Sequence, residues 1–128
     1  MPVDREGFVE LMEAIADAWV RGDARAALAR FTDDARYIEP PNEQRYEGRD
    51  ELFVFFGGDD PPAMSLAWHH LVFDPELQIG ACEYTYTGTS TYHGVALVRL
   101  EGDRIADWRE YQYRSELPWE TFSAGNRF

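Results

Sequence analysis

Between Ser65 and Arg114 the chain runs through four consecutive segments that read as strands. SLAWHHLVF (65–73), LQIGACEYTYTG (77–88), TSTYHGVALVRL (89–100) and RIADWREYQYR (104–114) are each dense in β-branched and aromatic residues. Turn residues separate them: Asp74-Pro75-Glu76, the stretch around Gly88, and Glu101-Gly102-Asp103. Links this short join antiparallel neighbours, so the 50 residues from Ser65 to Arg114 are committed to one antiparallel sheet. A sheet of that kind buries one face, and the rest of the chain must supply what covers it.

The first half supplies helices. Phe8, Leu11, Met12, Ile15 and Trp19 recur at helical spacing with charges between them. Arg21-Gly22-Asp23 then ends one helix and caps the next, and ARAALARF (24–31) predicts a short alanine-rich second helix. ARYIE (35–39) is strand-like and stops at Pro40-Pro41, Gly48-Arg49-Asp50-Glu51 opens a third helix through LFVFF (52–56), and GGDDPPA (57–63) is a loop. Helices first and strands after make an α+β chain. A helix laid across a curved, mostly antiparallel sheet leaves a conical space, toward which the helix, the first strand and the last strand project side chains. With 128 residues the whole chain is expected to be one domain, its 115–128 tail irregular.

Charge excludes two kinds of partner. Twelve Lys and Arg stand against 24 Asp and Glu, a net charge of −12, whereas nucleic acids and anionic membrane surfaces are both recognised by cationic side chains. MPVDREGFVE has no apolar signal core, and no stretch approaches the ~20 apolar residues that span a bilayer, so a cytoplasmic protein is expected. The single cysteine, Cys82, permits no internal disulfide and is read as a small apolar filler. No histidines have i,i+4 spacing and no Cys/His cluster exists, so neither a metal nor a cofactor is expected.

The remaining chemistry lies in carboxylates among aromatics. Strand alternation puts Tyr37 and Glu39 on one face of their strand, and Trp108, Glu110 and Gln112 on one face of theirs. If both sets face the conical space, two carboxyl groups share an apolar pocket. Burial and mutual repulsion then raise at least one pKa toward neutrality, as an acid/base pair requires. The alternatives are a Glu39 solvated at its strand end or bonded to a neighbouring backbone amide, and a Glu110 paired with Arg99 or Arg114 across the sheet. His69 and His70 are expected on opposite faces, so at most one reaches the pocket; His70 is the candidate. His93, near a strand start, is expected to be exposed. Trp19, Phe55, Tyr84 and Trp108 are expected as pocket wall or core.

RGDARAALARFTDDARYIEPP (21–41), YEGRDEL (46–52) and GVALVRLEGDRIADWREYQ (94–112) resemble the helix-to-strand passage and closing hairpin of the nuclear-transport-factor-two-like superfamily, and within it the SnoaL-like enzymes and binders. The resemblance implies a cone-shaped α+β barrel, with N-terminal helices packed on a curved sheet that encloses a pocket. Glu39-Pro40 is similar to the Asp-Pro whose Asp is the base of steroid Δ-isomerases; the positions matching that family's oxyanion donors are Ile15 and Ala96, neither a donor. Tyr37-Ile38-Glu39 and Trp108-Arg109-Glu110-Tyr111 are similar to the Tyr-x-Asn and Trp-Arg-Asp-Tyr of limonene-type epoxide hydrolases, which implies that Glu110 activates water. The Arg-x-Asp of those enzymes falls at Thr85-Tyr86-Thr87. Taken with the strand-face reading, the expected catalytic residues are Glu39, Glu110, Tyr37 and His70, and the expected pocket wall is Ile15, Trp19, Phe55, Tyr84, Ala96, Trp108 and Gln112. Three functions stay open. One is carboxylate acid/base chemistry (isomerisation, cyclisation, dehydration or epoxide hydrolysis) on a hydrophobic small molecule. The second is ligand binding without chemistry. The third, compatible with either, is a homodimer through the outer sheet face that carries Arg109, Tyr111 and Tyr113.

Overall fold

The structure is a computed structural model that describes residues 2–41, 43–124, 126 and 128. Helix α1 (Arg5–Val20) starts where Asp4 accepts a hydrogen bond from the Gly7 amide at 2.8 Å. Its Phe8, Leu11, Met12 and Ile15 are buried, each worth about 1.5–3 kcal/mol of transfer free energy. Gly22, at φ +74°, turns the chain, and Asp23 caps α2 (Ala24–Leu28) through the Ala26 amide.

Helix α2 is shorter than its alanine content predicts. Phe31, expected as its last residue, instead heads strand β1 (Phe31–Glu39), where its ring is fully buried between Phe56 and Trp108. Burial of a large aromatic outweighs the few tenths of a kcal/mol of local helix propensity. Strand β2 (Gln44–Glu47), unforeseen in sequence, folds back on β1 with Glu39 opposite Gln44. Helix α3 (Gly48–Phe55) follows, then β3 (Ser65–Asp74), β4 (Ile79–Thr87), β5 (Thr91–Glu101) and β6 (Arg104–Arg114).

The six strands form one curved sheet in the order β2-β1-β6-β5-β4-β3, open at both edges. Every pairing is antiparallel except β1 with β6, which is parallel. That pairing sets Tyr37 beside Trp108 and brings the helix-to-strand passage against the last strand. The core lies between α1 and the concave face. At Gly80 strand and helix come so close that a Cβ would stand 2.2 Å from the Phe8 ring, which stacks on Phe73 at 4.6 Å.

On the convex face, Tyr111 and Tyr113 are exposed, with Val95 and Leu97 partly so. The tail after Arg114, expected to be irregular, contains a short helix α4 (Trp119–Phe122). Trp119 stacks on His69 with ring centroids 3.9 Å apart, and Phe122 packs on His93 at 4.3 Å. His93 is therefore buried rather than exposed, and bonds to Thr85 and to the Leu117 carbonyl. No helix among the described residues is long and apolar enough to cross a membrane.

Candidate active site

Between the concave face, α1 and α3 lies a cavity of about 300 Å³. Its walls are aromatic: Trp19, Tyr37, Phe55, Phe56, Trp68, Tyr84, Tyr86, Tyr92 and Trp108, with Pro61, Pro62 and Met64 from the α3–β3 loop. Among the described residues Glu110 is the one carboxylate that lines the cavity, and no described lining residue carries a positive charge.

Tyr37 and Trp108, side by side in the parallel pair, stack with centroids 5.0 Å apart and planes 10° from parallel. Both then donate to the same oxygen of Glu110: Tyr37 O–H to Oε1 at 2.6 Å and Trp108 Nε1–H to Oε1 at 2.9 Å. Glu110 Oε2 has no protein partner among the described residues. Since Oε1 already accepts two bonds, Oε2 is the oxygen left to take a proton or meet a ligand. Burial pushes the Glu110 carboxyl up from 4.5 to about 7; the two hydrogen bonds oppose this by favouring the ionised form, and the nearby charge of Glu39 adds to the rise. Burial, with Glu110 beside it, holds the Tyr37 hydroxyl well above its ordinary range, so it stays a neutral donor.

Tyr84 is buried, and its O–H donates to Gln112 Oε1 at 2.7 Å. Gln112 projects from β6 on the same face as Glu110, two residues further along. The Trp19 indole N–H is buried without a hydrogen-bond partner among the described residues, in a ring set edge-on to Trp108 and Phe56.

Of the residues expected here, Tyr37, Trp19, Phe55, Tyr84, Trp108, Glu110 and Gln112 line the cavity. Four do not. Glu39 stands half-buried at the end of β1, where the Gln44 amide donates to it at 3.0 Å; Gln44, its partner across the ladder, is what lines the cavity. Ile15 and Ala96 are fully buried in the core, Ala96 directly across from Glu110.

His70 is turned away by a β-bulge between Trp68 and His70, which lets Trp68 face the cavity and sets His70 opposite Glu83. His70 bonds Glu83 at 2.7 Å and the Phe128 carbonyl, and its pKa rises through them. His69 bonds Thr85 and lies under Trp119, so neither histidine is a lining residue. The expected ion-pair alternative for Glu110 is not formed with Arg99, which engages Asp107 at 2.6 Å and Glu101 at 3.0 Å.

Sequence reasoning missed Trp68, Tyr86 and Tyr92. Period-two alternation from Tyr84 would have added Tyr86, but Trp68 and Tyr92 needed the strand register. Burial drives the Cys82 thiol pKa upward, which suits an inert filler. Among the described residues no group of three or more His, Cys, Asp or Glu could hold a metal ion.

Residues 12–108 match the sequence profile of the SnoaL-like domain. A search of curated proteins finds no match. Solved structures share the fold at low identity. A putative ketosteroid isomerase from Kribbella flavida is 19% identical, with a TM-score of 0.74 over 98% of this chain and 92% of that one. An epoxide hydrolase from M. tuberculosis, described as LEH-like, is 16% identical, with a TM-score of 0.72 over 85% and 84%. SalBIII, an epoxide hydrolase/cyclase-like enzyme of pyran ring formation in the polyether salinomycin, is 17% identical, with a TM-score of 0.75 over 86% and 93%.

Proposed function

The chain belongs to the SnoaL-like domain family, and on that premise we propose that it is a small acid/base enzyme in which Glu110 alone exchanges a proton with an apolar ligand. The observation that carries this is the asymmetry of one carboxyl group. Oε1 is saturated by Tyr37 and Trp108, Oε2 has no partner among the described residues, and the pKa lies at about 7 in an aromatic cavity. A base poised near the working pH combines the right protonation state with a useful driving force. Ionised, Oε2 takes a proton from a carbon acid, a hydroxyl or a water molecule; protonated, it returns that proton to a developing oxyanion. The Tyr37–Trp108 stack holds the group in one orientation through both states. This sequence serves isomerisation, dehydration, ring closure and epoxide opening alike, and isomerase-like and epoxide hydrolase/cyclase-like proteins share the fold. Glu39 acts from outside the cavity, its charge helping to keep the Glu110 pKa high.

A screen of apolar epoxides and enones for turnover tests the proposal. On any substrate found, Glu110→Gln should lower kcat/KM by about 10²–10⁴-fold, with the fold intact by circular dichroism, while Glu39→Gln changes it little. Undiminished turnover in Glu110→Gln would overturn the assignment. The absence of a second carboxylate among the described lining residues favours a second reading, ligand capture without chemistry; it predicts saturable binding that Glu110→Gln leaves unchanged.

A further inference from the structure

We infer that the cavity takes a neutral, apolar ligand that carries a carbonyl or similar acceptor oxygen, and that the Gln112 side-chain amide holds that oxygen, its direction set by Tyr84. The inference rests on the reading that this cavity is where the substrate binds, and it adds a ligand class and a positioning pair.

Hydrogen-bond satisfaction fixes the amide. The Tyr84 hydroxyl is buried, so its hydrogen needs an acceptor, and Gln112 Oε1 at 2.7 Å supplies it. A flipped amide would donate to the tyrosine oxygen and leave the tyrosine hydrogen without an acceptor among the described residues. With Oε1 held toward Tyr84, the Nε2 group and its two donor hydrogens are turned away from the tyrosine, with no protein acceptor among the described residues. The glutamine has room because residue 94, opposite it in the ladder, is glycine: a Cβ there would lie 2.7 Å from the Gln112 Cβ.

Gln112 and Glu110 are two residues apart on one strand face, about 7 Å between Cα atoms. Along one wall the cavity thus offers a proton-exchanging oxygen and then a fixed donor. A ligand that satisfies both has a reacting atom at Glu110 and an acceptor oxygen at Gln112. Anionic ligands would find no cation among the described lining residues and a carboxyl group that ionises near neutrality. Where the reaction places negative charge on that oxygen, Gln112 is also a donor positioned to stabilise it.

The test compares 2-acetylnaphthalene with 2-ethylnaphthalene, near-isosteres that differ by a carbonyl oxygen, by protein NMR titration at about pH 9. There Glu110 is ionised and donates nothing. The wild type should bind the ketone about two- to tenfold more tightly than the hydrocarbon, the worth of one neutral hydrogen bond. The Gln112 side-chain NH₂ resonances should shift with the ketone alone.

Gln112→Leu should abolish the preference while hydrocarbon affinity stays within about twofold; Gln112→Glu, ionised at this pH, keeps an acceptor for Tyr84 but replaces the donor with a negative charge, and should abolish the preference as well. Tyr84→Phe should reduce the preference by freeing the amide to turn. A preference that survives both Gln112 variants, or one seen at pH 5.5 and lost at pH 9, overturns the inference; in the second case the protonated Glu110 is the donor and the acid/base reading stands. Conversely, a Glu110 that fails to titrate near neutrality sinks the acid/base reading and leaves the Gln112 preference measurable.

Discussion

Replacing Glu110 with glutamine should remove a pH dependence of stability that this one side chain imposes. Its pKa in the folded chain is about 7, against 4.5 for an unperturbed glutamate. Below 4.5 both folded and unfolded chains hold the proton, and above 7 both have released it. Between them only the folded chain holds it, so stability falls as pH rises through that window and is level on either side. The gap of about 2.5 pH units, at 1.36 kcal/mol each, makes the fall about 3 kcal/mol, a large part of the 5–15 kcal/mol typical of a domain.

Glutamine is neutral throughout and keeps an oxygen for Tyr37 and Trp108, so Glu110→Gln should lose the slope without losing the contacts. Urea unfolding of both proteins at steps from about pH 4.5 to pH 8, followed by tryptophan fluorescence, measures it. The wild type should lose about 3 kcal/mol relative to the variant across the window. Contributions from groups that do not interact with Glu110 cancel in that difference. Parallel curves would refute the reasoning, and a wild type that gains on the variant as pH rises would show Glu110 held ionised instead.

Tyr37→Phe removes a donor that favours the ionised carboxylate, so the Glu110 midpoint should rise by about one to two pH units, given 1.5–3 kcal/mol for a hydrogen bond to a charged group. Carbon-13 NMR of the side-chain carboxyl reads it, and a midpoint that fell would contradict the geometry. Gly80→Ala should cost about 1–3 kcal/mol by driving a methyl group into the Phe8 ring, and Phe8→Leu in the same chain should recover part of the loss; a Gly80→Ala chain as stable as wild type would mean that α1 can shift off the sheet.

Much of the architecture was legible because it is periodic. Helical spacing from Phe8 to Trp19 and the four strand-like runs after Ser65 specify α1 and β3–β6 with small boundary shifts. Alternation alone put Tyr37 on one face of its strand and Trp108, Glu110 and Gln112 on one face of theirs, and all four line the cavity. What failed depended on partners far along the chain. Phe31 left a helical context because Phe56 and Trp108 bury it. One bulge in β3 removed His70 from consideration. Trp119 and Phe122, in a tail without periodicity, cover the histidine expected to be exposed.

The sequence by itself determined which faces are apolar, because side-chain direction repeats every two residues in a strand and every 3.6 in a helix. It could not decide which strand lies beside which, or in what register, since those follow from contacts among residues tens of positions apart. The parallel pairing of β1 with β6 joins Tyr37 to Trp108 and delivers both donors to one oxygen of Glu110. The antiparallel pairings across β4, β5 and β6 bring Tyr84 to Gln112. Glu39, the carboxylate most conspicuous in sequence at its proline corner, ended outside the cavity because β2 folded back and set Gln44 against it. The tertiary structure thus chose between two glutamates that local sequence presented alike, by burying one among aromatic rings and leaving the other at a strand end.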